Sequence, residues 1–106
     1  MKGGLVKIKR FLDRDQFIIT HHARLRMFQR NITTDMIAVV ITNGQIIEEY
    51  PNDFPCPSLL VLGYHQENPL HVVIAECEDH ARIITVYTPN EEYWIEHQKR
   101  RRKNDR

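Results

Sequence analysis

The stretch Thr33-Thr34-Asp35-Met36-Ile37-Ala38-Val39-Val40-Ile41-Thr42-Asn43-Gly44-Gln45-Ile46-Ile47-Glu48-Glu49-Tyr50 decides the fold class, because the hydrophobic period changes inside it. Up to Asn43 it reads as a helix. Thr33 is placed to cap the first turn, Ile32 and Ile37 stand at the two positions of a hydrophobic staple, and Asp35 suits the positive end of the dipole. Met36, Ile37, Val39, Val40 and Ile41 make this helix mostly buried. Asn43-Gly44 is expected to end it, with glycine in the left-handed conformation just past the last turn. Beyond Gly44 the apolar residues come in short β-branched and aromatic runs, Gln45–Tyr50, Ser58–His65, Leu70–Glu76 and Ala81–Thr88. Pro51–Pro57, Gln66–Pro69 and Cys77–His80 separate them and are polar or turn-prone. Such runs with short connections predict an antiparallel meander.

Working outward, Leu5, Ile8, Phe11 and Leu12 recur at helical spacing and predict a short amphipathic first helix. Phe17-Ile18-Ile19 leads into Thr20, a candidate cap for a second helix from His21 to Arg30 that contains no Gly or Pro. At the other end Glu91–Arg102 is expected to form a closing helix around Tyr93, Trp94 and Ile95. Helices first and strands afterwards point to an α+β fold: N-terminal helices packed on a three- to four-stranded antiparallel sheet, with a C-terminal helix. Met27, Ile37, Val40, Ile41, Leu60, Leu62, Val72, Ile74, Ile84 and Val86 are the expected core. In the last two strands the even positions are taken as the inward face.

A chain of 106 residues fits a single domain, 1–106, with 99–106 as a basic and expectedly disordered tail. The composition, 42% hydrophobic and 27% charged, excludes collagen, coiled coil and wholesale disorder. The longest apolar run, Met36–Ile41, is far short of the roughly 20 residues of a membrane span. No secretory apolar core follows Met1-Lys2-Gly3-Gly4, so the expectation is a cytoplasmic protein without a membrane role. Cys56 and Cys77 show no metal-binding spacing and are then expected as free thiols. The six histidines lack zinc-site spacing too, and neither metal nor cofactor is expected.

The net charge of +1 hides segregation. Residues 1–30 carry eight Lys/Arg against two Asp, 31–98 carry Arg82 against eleven acids, and 99–106 carry six basic residues against Asp105. A basic start and tail flanking an acidic body suit a polyanion at one edge, not indiscriminate coating of nucleic acid. Within the basic start, His22, Arg26 and Arg30 fall at i, i+4 and i+8 on one helix line. Two guanidiniums beside an imidazole can grip a phosphate while the imidazole moves a proton. The plainer alternative is a solvated helix face, or arginines tied to carboxylates such as Glu48, Glu49 or Glu76. His71 lies on a strand that is otherwise apolar on both faces and reads as a proton donor, a hydrogen-bonded core histidine or a rim residue. Tyr87, sharing strand parity with Thr85, can donate to a phosphate or simply pack. The run Lys99–Lys103 offers phosphate contacts of a salt-dependent kind.

The segment Thr20-His21-His22-Ala23-Arg24-Leu25-Arg26-Met27-Phe28-Gln29-Arg30-Asn31-Ile32-Thr33 resembles the H-A-x-x-R-M-x-x-R-x-I-[ST] signature of the domain-of-unknown-function 4258 family. Gly44–Pro51, Pro57–Gly63, Pro69–Val73 and Ile83–Pro89 look like its four strands in order, and Trp94 with Arg100-Arg101 like its ending. That family is similar to RelE-like toxins and to toxin partners of small zinc-finger antitoxins of the MqsA kind. The resemblance implies helices on one face of an antiparallel sheet, with RNA received on the other face or at an edge. It also implies a toxin–antitoxin toxin acting on mRNA as a metal-independent endoribonuclease, with an antitoxin protein as partner. His22, Arg26, Arg30, His71, Thr85 and Tyr87 sit on signature positions. In that reading His22 and His71 are the acid/base pair and Tyr87 an auxiliary donor. Arg26, Arg30 and Thr85 then bind substrate. The alternative is a non-catalytic RNA- or protein-binding module of the same fold. Convergence separates the two, since catalysis needs these side chains in one pocket and binding tolerates dispersion.

Overall fold

The computed structural model describes residues 4–90, 94–95 and 99–100. Three helices come first, α1 (Gly4–Asp13), α2 (His21–Arg30) and α3 (Thr34–Asn43), with a short strand β1 (Phe17–Ile19) between α1 and α2. Strands β2 (Gln45–Tyr50), β3 (Ser58–His65), β4 (Asn68–Glu76) and β5 (Ala81–Tyr87) follow. Both expected caps are in place. Thr20 accepts a hydrogen bond from the Ala23 N–H at 3.1 Å, and Thr33 accepts one from the Met36 N–H at 3.1 Å. Ile32 and Ile37 are both buried, as a staple requires.

The sheet has five strands in the order β1-β5-β4-β3-β2. The last four form the expected antiparallel meander, and β1 adds a parallel edge along β5, pairing Phe17 with Ala81 and Ile19 with Ile83. The sheet is therefore mixed, not purely antiparallel. No described residue supports the expected C-terminal helix. Trp94–Ile95 and Lys99–Arg100 pair instead as an antiparallel two-stranded sheet, β6 with β7, the aromatic and β-branched pair Trp-Ile suiting a strand better than a helix. Of the expected disordered tail, 99–106, Lys99–Arg100 form β7 and residues 101–106 lie outside the described residues.

The helices cover one face of the sheet. Ile8 and Phe11 of α1, Ala23 of α2 and Ile37, Val40 and Ile41 of α3 form one buried cluster with the sheet residues. The sheet contributes Leu59, Val61, Leu70, Val72, Ile74, Ala81, Ile83 and Val86 to it. Strand alternation puts Ser58, Leu60, Leu62, His71 and Ala75 on the opposite face, and these are buried as well. Two members of the expected core behave differently. Met27 is half-buried, packing on the cluster from the side. Ile84 is half-buried while Ile83 is fully buried, because a bulge in β5 pairs Val73 with Thr85 but Ile74 with Ile83. One extra residue reverses the alternation, so odd position 83 and even position 86 both face the helices.

Gly44 ends α3 for a reason other than the one its position suggests. Its φ is −88°, open to any residue, but a Cβ would lie 2.3 Å from the Val40 carbonyl oxygen and 2.6 Å from Val61. Close approach of helix and strand, not left-handed backbone, requires the glycine. The two cysteines are not free thiols either. Cys56 and Cys77 form a disulfide with their Cα atoms 5.2 Å apart. The Glu76 N–H donates to the Pro57 carbonyl at 2.9 Å, which lays the proline loop against the end of β4 and brings the sulfurs together.

Candidate functional site at the C-terminal end of α2

The sequence of α2, HHARLRMFQR, has two histidines, three arginines and no acid. Ala23 and Met27 turn toward the core, leaving His21, His22, Arg24, Leu25, Phe28 and Arg30 exposed and Arg26 half-buried. The helix is anchored on β5, since the Thr20 hydroxyl donates to the Ile84 carbonyl at 2.8 Å and the Thr20 N–H to the Ile83 carbonyl at 3.1 Å. At its far end Asn31 takes the left-handed conformation, φ 54° and ψ 42°, and hydrogen bonds from the Asn31 and Ile32 N–H groups close the last turn on the Met27 carbonyl. No ion pair joins Arg26 or Arg30 to a described carboxylate. The charge line of α2 is thus available to a ligand.

The line ends at a cavity of about 230 Å³. Arg30 comes from the end of α2, Ile32 from the link to α3, Met36 from the first turn of α3, His65 and Asn68 from the facing ends of β3 and β4, and Thr88 from just past β5. Strand alternation explains the sheet members. His65 continues the Leu59, Val61, Gly63 parity, and Thr88 that of Val86, so both point to the helix side. A Cβ on Gly63 would lie 2.7 Å from Val40, so α3 sits tightly on the sheet there and the cavity opens just beyond. His65 and Asn68 pair across a two-residue hairpin whose central residues, Gln66 and Glu67, both have positive φ, 50° and 70°. This is the primed turn that matches strand twist, normally made by Asn-Gly.

His71, Thr85 and Tyr87 lie elsewhere. His71 and Tyr87 are directly paired between β4 and β5, and their neighbours Val72 and Val86 face the helices. The sheet therefore stands between them and α2. His71 is fully buried, its Nδ1 3.2 Å from the Tyr87 hydroxyl and its ring edge-on to the tyrosine at 5.1 Å. Thr85 shares that second face and is half-buried. The structure thus splits the six candidates into two groups, with His22, Arg26 and Arg30 on α2 and the other three across the sheet. The proposed acid/base pair His22 and His71 does not share a pocket. The imidazole that lines a cavity together with Arg30 is that of His65, which no motif marks and which only strand parity could have placed.

Among the described residues no group of three His, Cys, Asp or Glu is arranged to hold a metal, and no helix is long and apolar enough to cross a membrane. One carboxyl is perturbed, away from the cavity. Asp79, exposed in the β4–β5 turn, is held below its ordinary pKa by a 2.7 Å hydrogen bond from His80 and by the charge of that imidazole.

Residues 19–88 match the family model described as Domain of unknown function (DUF4258). The chain belongs to the DUF4258 family. The matched span runs from the end of β1 through β5 and so contains α2 and every residue of the cavity. No curated protein and no solved structure matches the chain.

Proposed function

We propose that this DUF4258 protein is an RNA-binding module in which α2 contacts the phosphate backbone. The observation that supports it is an acid-free helix whose arginines are unpaired toward described carboxylates and whose line runs into the Arg30–His65 cavity. Arginine forks suit phosphate, and the exposed Phe28 and Leu25 between them offer surfaces on which bases can stack. The dispersion of the candidate histidines across the sheet favours binding over catalysis by that set. The similarity of the DUF4258 family, whose signature spans residues 20–33 here, to RelE-like toxins supports a cytoplasmic toxin role on mRNA, with a small zinc-finger antitoxin as its protein partner.

A second reading, metal-independent endoribonuclease, is supported by one specific juxtaposition. His65 and Arg30 line the same cavity: the imidazole can take the 2′-OH proton as that oxygen attacks the phosphorus and return it to the 5′-oxygen as the P–O5′ bond breaks, while the guanidinium steadies the phosphorane charge. Fluorescence anisotropy with a labelled single-stranded RNA tests the first reading. Two phosphate contacts from Arg26 and Arg30 predict a salt slope near −1.4, and affinity falling roughly sevenfold between 50 and 200 mM salt. Arg26→Ala with Arg30→Ala should flatten that slope with the fold intact, and salt-independent binding overturns the reading. Incubating the same RNA in EDTA tests the second, which requires cleavage that His65→Ala abolishes.

A further inference from the structure

We infer that the cavity beyond α2 is a subsite for a single nucleotide, held by its phosphate first and by its base only weakly. This rests on the RNA-binding reading and gives it a specific pocket. Arg30 and His65 supply charge-assisted or neutral N–H donors from opposite walls, one from the helix and one from the sheet. Asn68 and Thr88 add an amide and a hydroxyl, groups that suit ribose hydroxyls and base edges. Ile32, Met36 and Leu70 form an apolar floor without an aromatic ring, which can shelter a base but not discriminate among bases by stacking. At about 230 Å³ the space is below the roughly 300–1,000 Å³ of pockets that enclose drug-sized ligands, so one nucleotide enters in part and a second does not. The nearest acids in sequence, Asp35 and Glu67, are exposed and do not line it.

The β3–β4 hairpin sets the rim of the cavity. Gln66 and Glu67, both at positive φ, form the primed turn that fixes His65 and Asn68 opposite each other there.

Calorimetry and amide chemical shifts on the full chain test this, with inorganic phosphate, the four nucleoside 5′-monophosphates, adenosine 3′-monophosphate and adenosine as probes. All the monophosphates should bind within about threefold of one another and shift the Thr88 and Asn68 amides, whereas adenosine should bind at least tenfold more weakly. His65→Ala and the exposed Arg30→Met should each weaken monophosphates at least tenfold. His80→Ala, in the distant β4–β5 turn, should leave binding unchanged and serves as the folding control. Adenosine binding as well as its monophosphate overturns the phosphate-first site. RNA binding without monophosphate binding overturns the subsite and leaves the role of α2 standing. Monophosphate binding without RNA binding upholds the cavity and overturns the RNA reading. Loss of both overturns both.

Discussion

Reducing the Cys56–Cys77 disulfide should destabilise this protein by an amount set mainly by the loop it closes. The bridged residues are 21 apart in sequence. In the chain-entropy account a ring of that size removes freedom from the unfolded state worth about 3.4 kcal/mol at 25 °C. At a urea dependence of about 1.5 kcal/mol/M, the midpoint should fall by roughly 2 M on reduction. Equilibrium urea unfolding followed by circular dichroism, with and without a phosphine reductant, measures the difference. Cys77 is buried, so the double variant Cys56→Ala/Cys77→Ala should match the reduced wild type if the effect belongs to the ring and not to exposed thiols. A change below about 1 kcal/mol would refute the reasoning. It would show that the proline loop is held by its other ties, the Glu76 N–H to Pro57 carbonyl bond at 2.9 Å and the Ser58 hydroxyl to Asp53 bond at 2.5 Å. The bridge should persist in an oxidising compartment and open in a thiol-reducing cytoplasm, where the protein would have the lower of the two stabilities.

Thr20→Ala removes both the α2 cap and the bond to Ile84, and should cost about 2 kcal/mol, with Thr20→Ser recovering most of it in urea unfolding. Gln66→Asn with Glu67→Gly relieves two left-handed side-chain residues and should raise stability by about 1–2 kcal/mol, a melting-temperature gain of roughly 4–8 °C per kcal/mol. Tyr87→Phe deletes the hydroxyl beside His71 and should lower stability by about 1 kcal/mol while RNA affinity stays the same. A tenfold loss of RNA affinity with the fold intact would move the site to the second sheet face. Asp79 should titrate below the ordinary carboxylate range in carbon-detected NMR, and His80→Ala should return it there. An unchanged Asp79 would deny the hydrogen bond its part.

The parts of this fold that were legible in the sequence are those fixed by near neighbours. Thr20 and Thr33 announce their helices because a cap bonds three residues on, and the four long strands show because β-branched runs alternate with turn residues. What escaped depends on partners far away. Phe17-Ile18-Ile19 is too short to show a period and becomes a strand only by pairing with residues 81–83. The β5 bulge leaves no mark on an apolar run, yet it decides whether Ile83 or Ile84 is buried. The disulfide joins two cysteines that share no motif. At the candidate site Arg30 was visible through its helical line, whereas His65 becomes meaningful only once Gly63 shows which face its strand turns to α3. His71 was ambiguous by composition, and burial decides it.

The parallel pairing of β1 with β5 carries a consequence for the newborn chain. The Thr20 hydroxyl that anchors α2 bonds a carbonyl 64 residues downstream. At about 5–20 residues per second, a ribosome needs roughly 3–13 s after adding Thr20 before that carbonyl exists. Until then the helix lacks the strand it docks on, and the core that Ala23 and Met27 enter lacks Ala81, Ile83 and Val86. A chain released between residues 30 and 81 would carry the whole basic helix without the strand that sets its orientation. Truncation products should therefore expose an apolar helix stripe and aggregate, and the basic edge should come into play only in chains whose synthesis has run through β5.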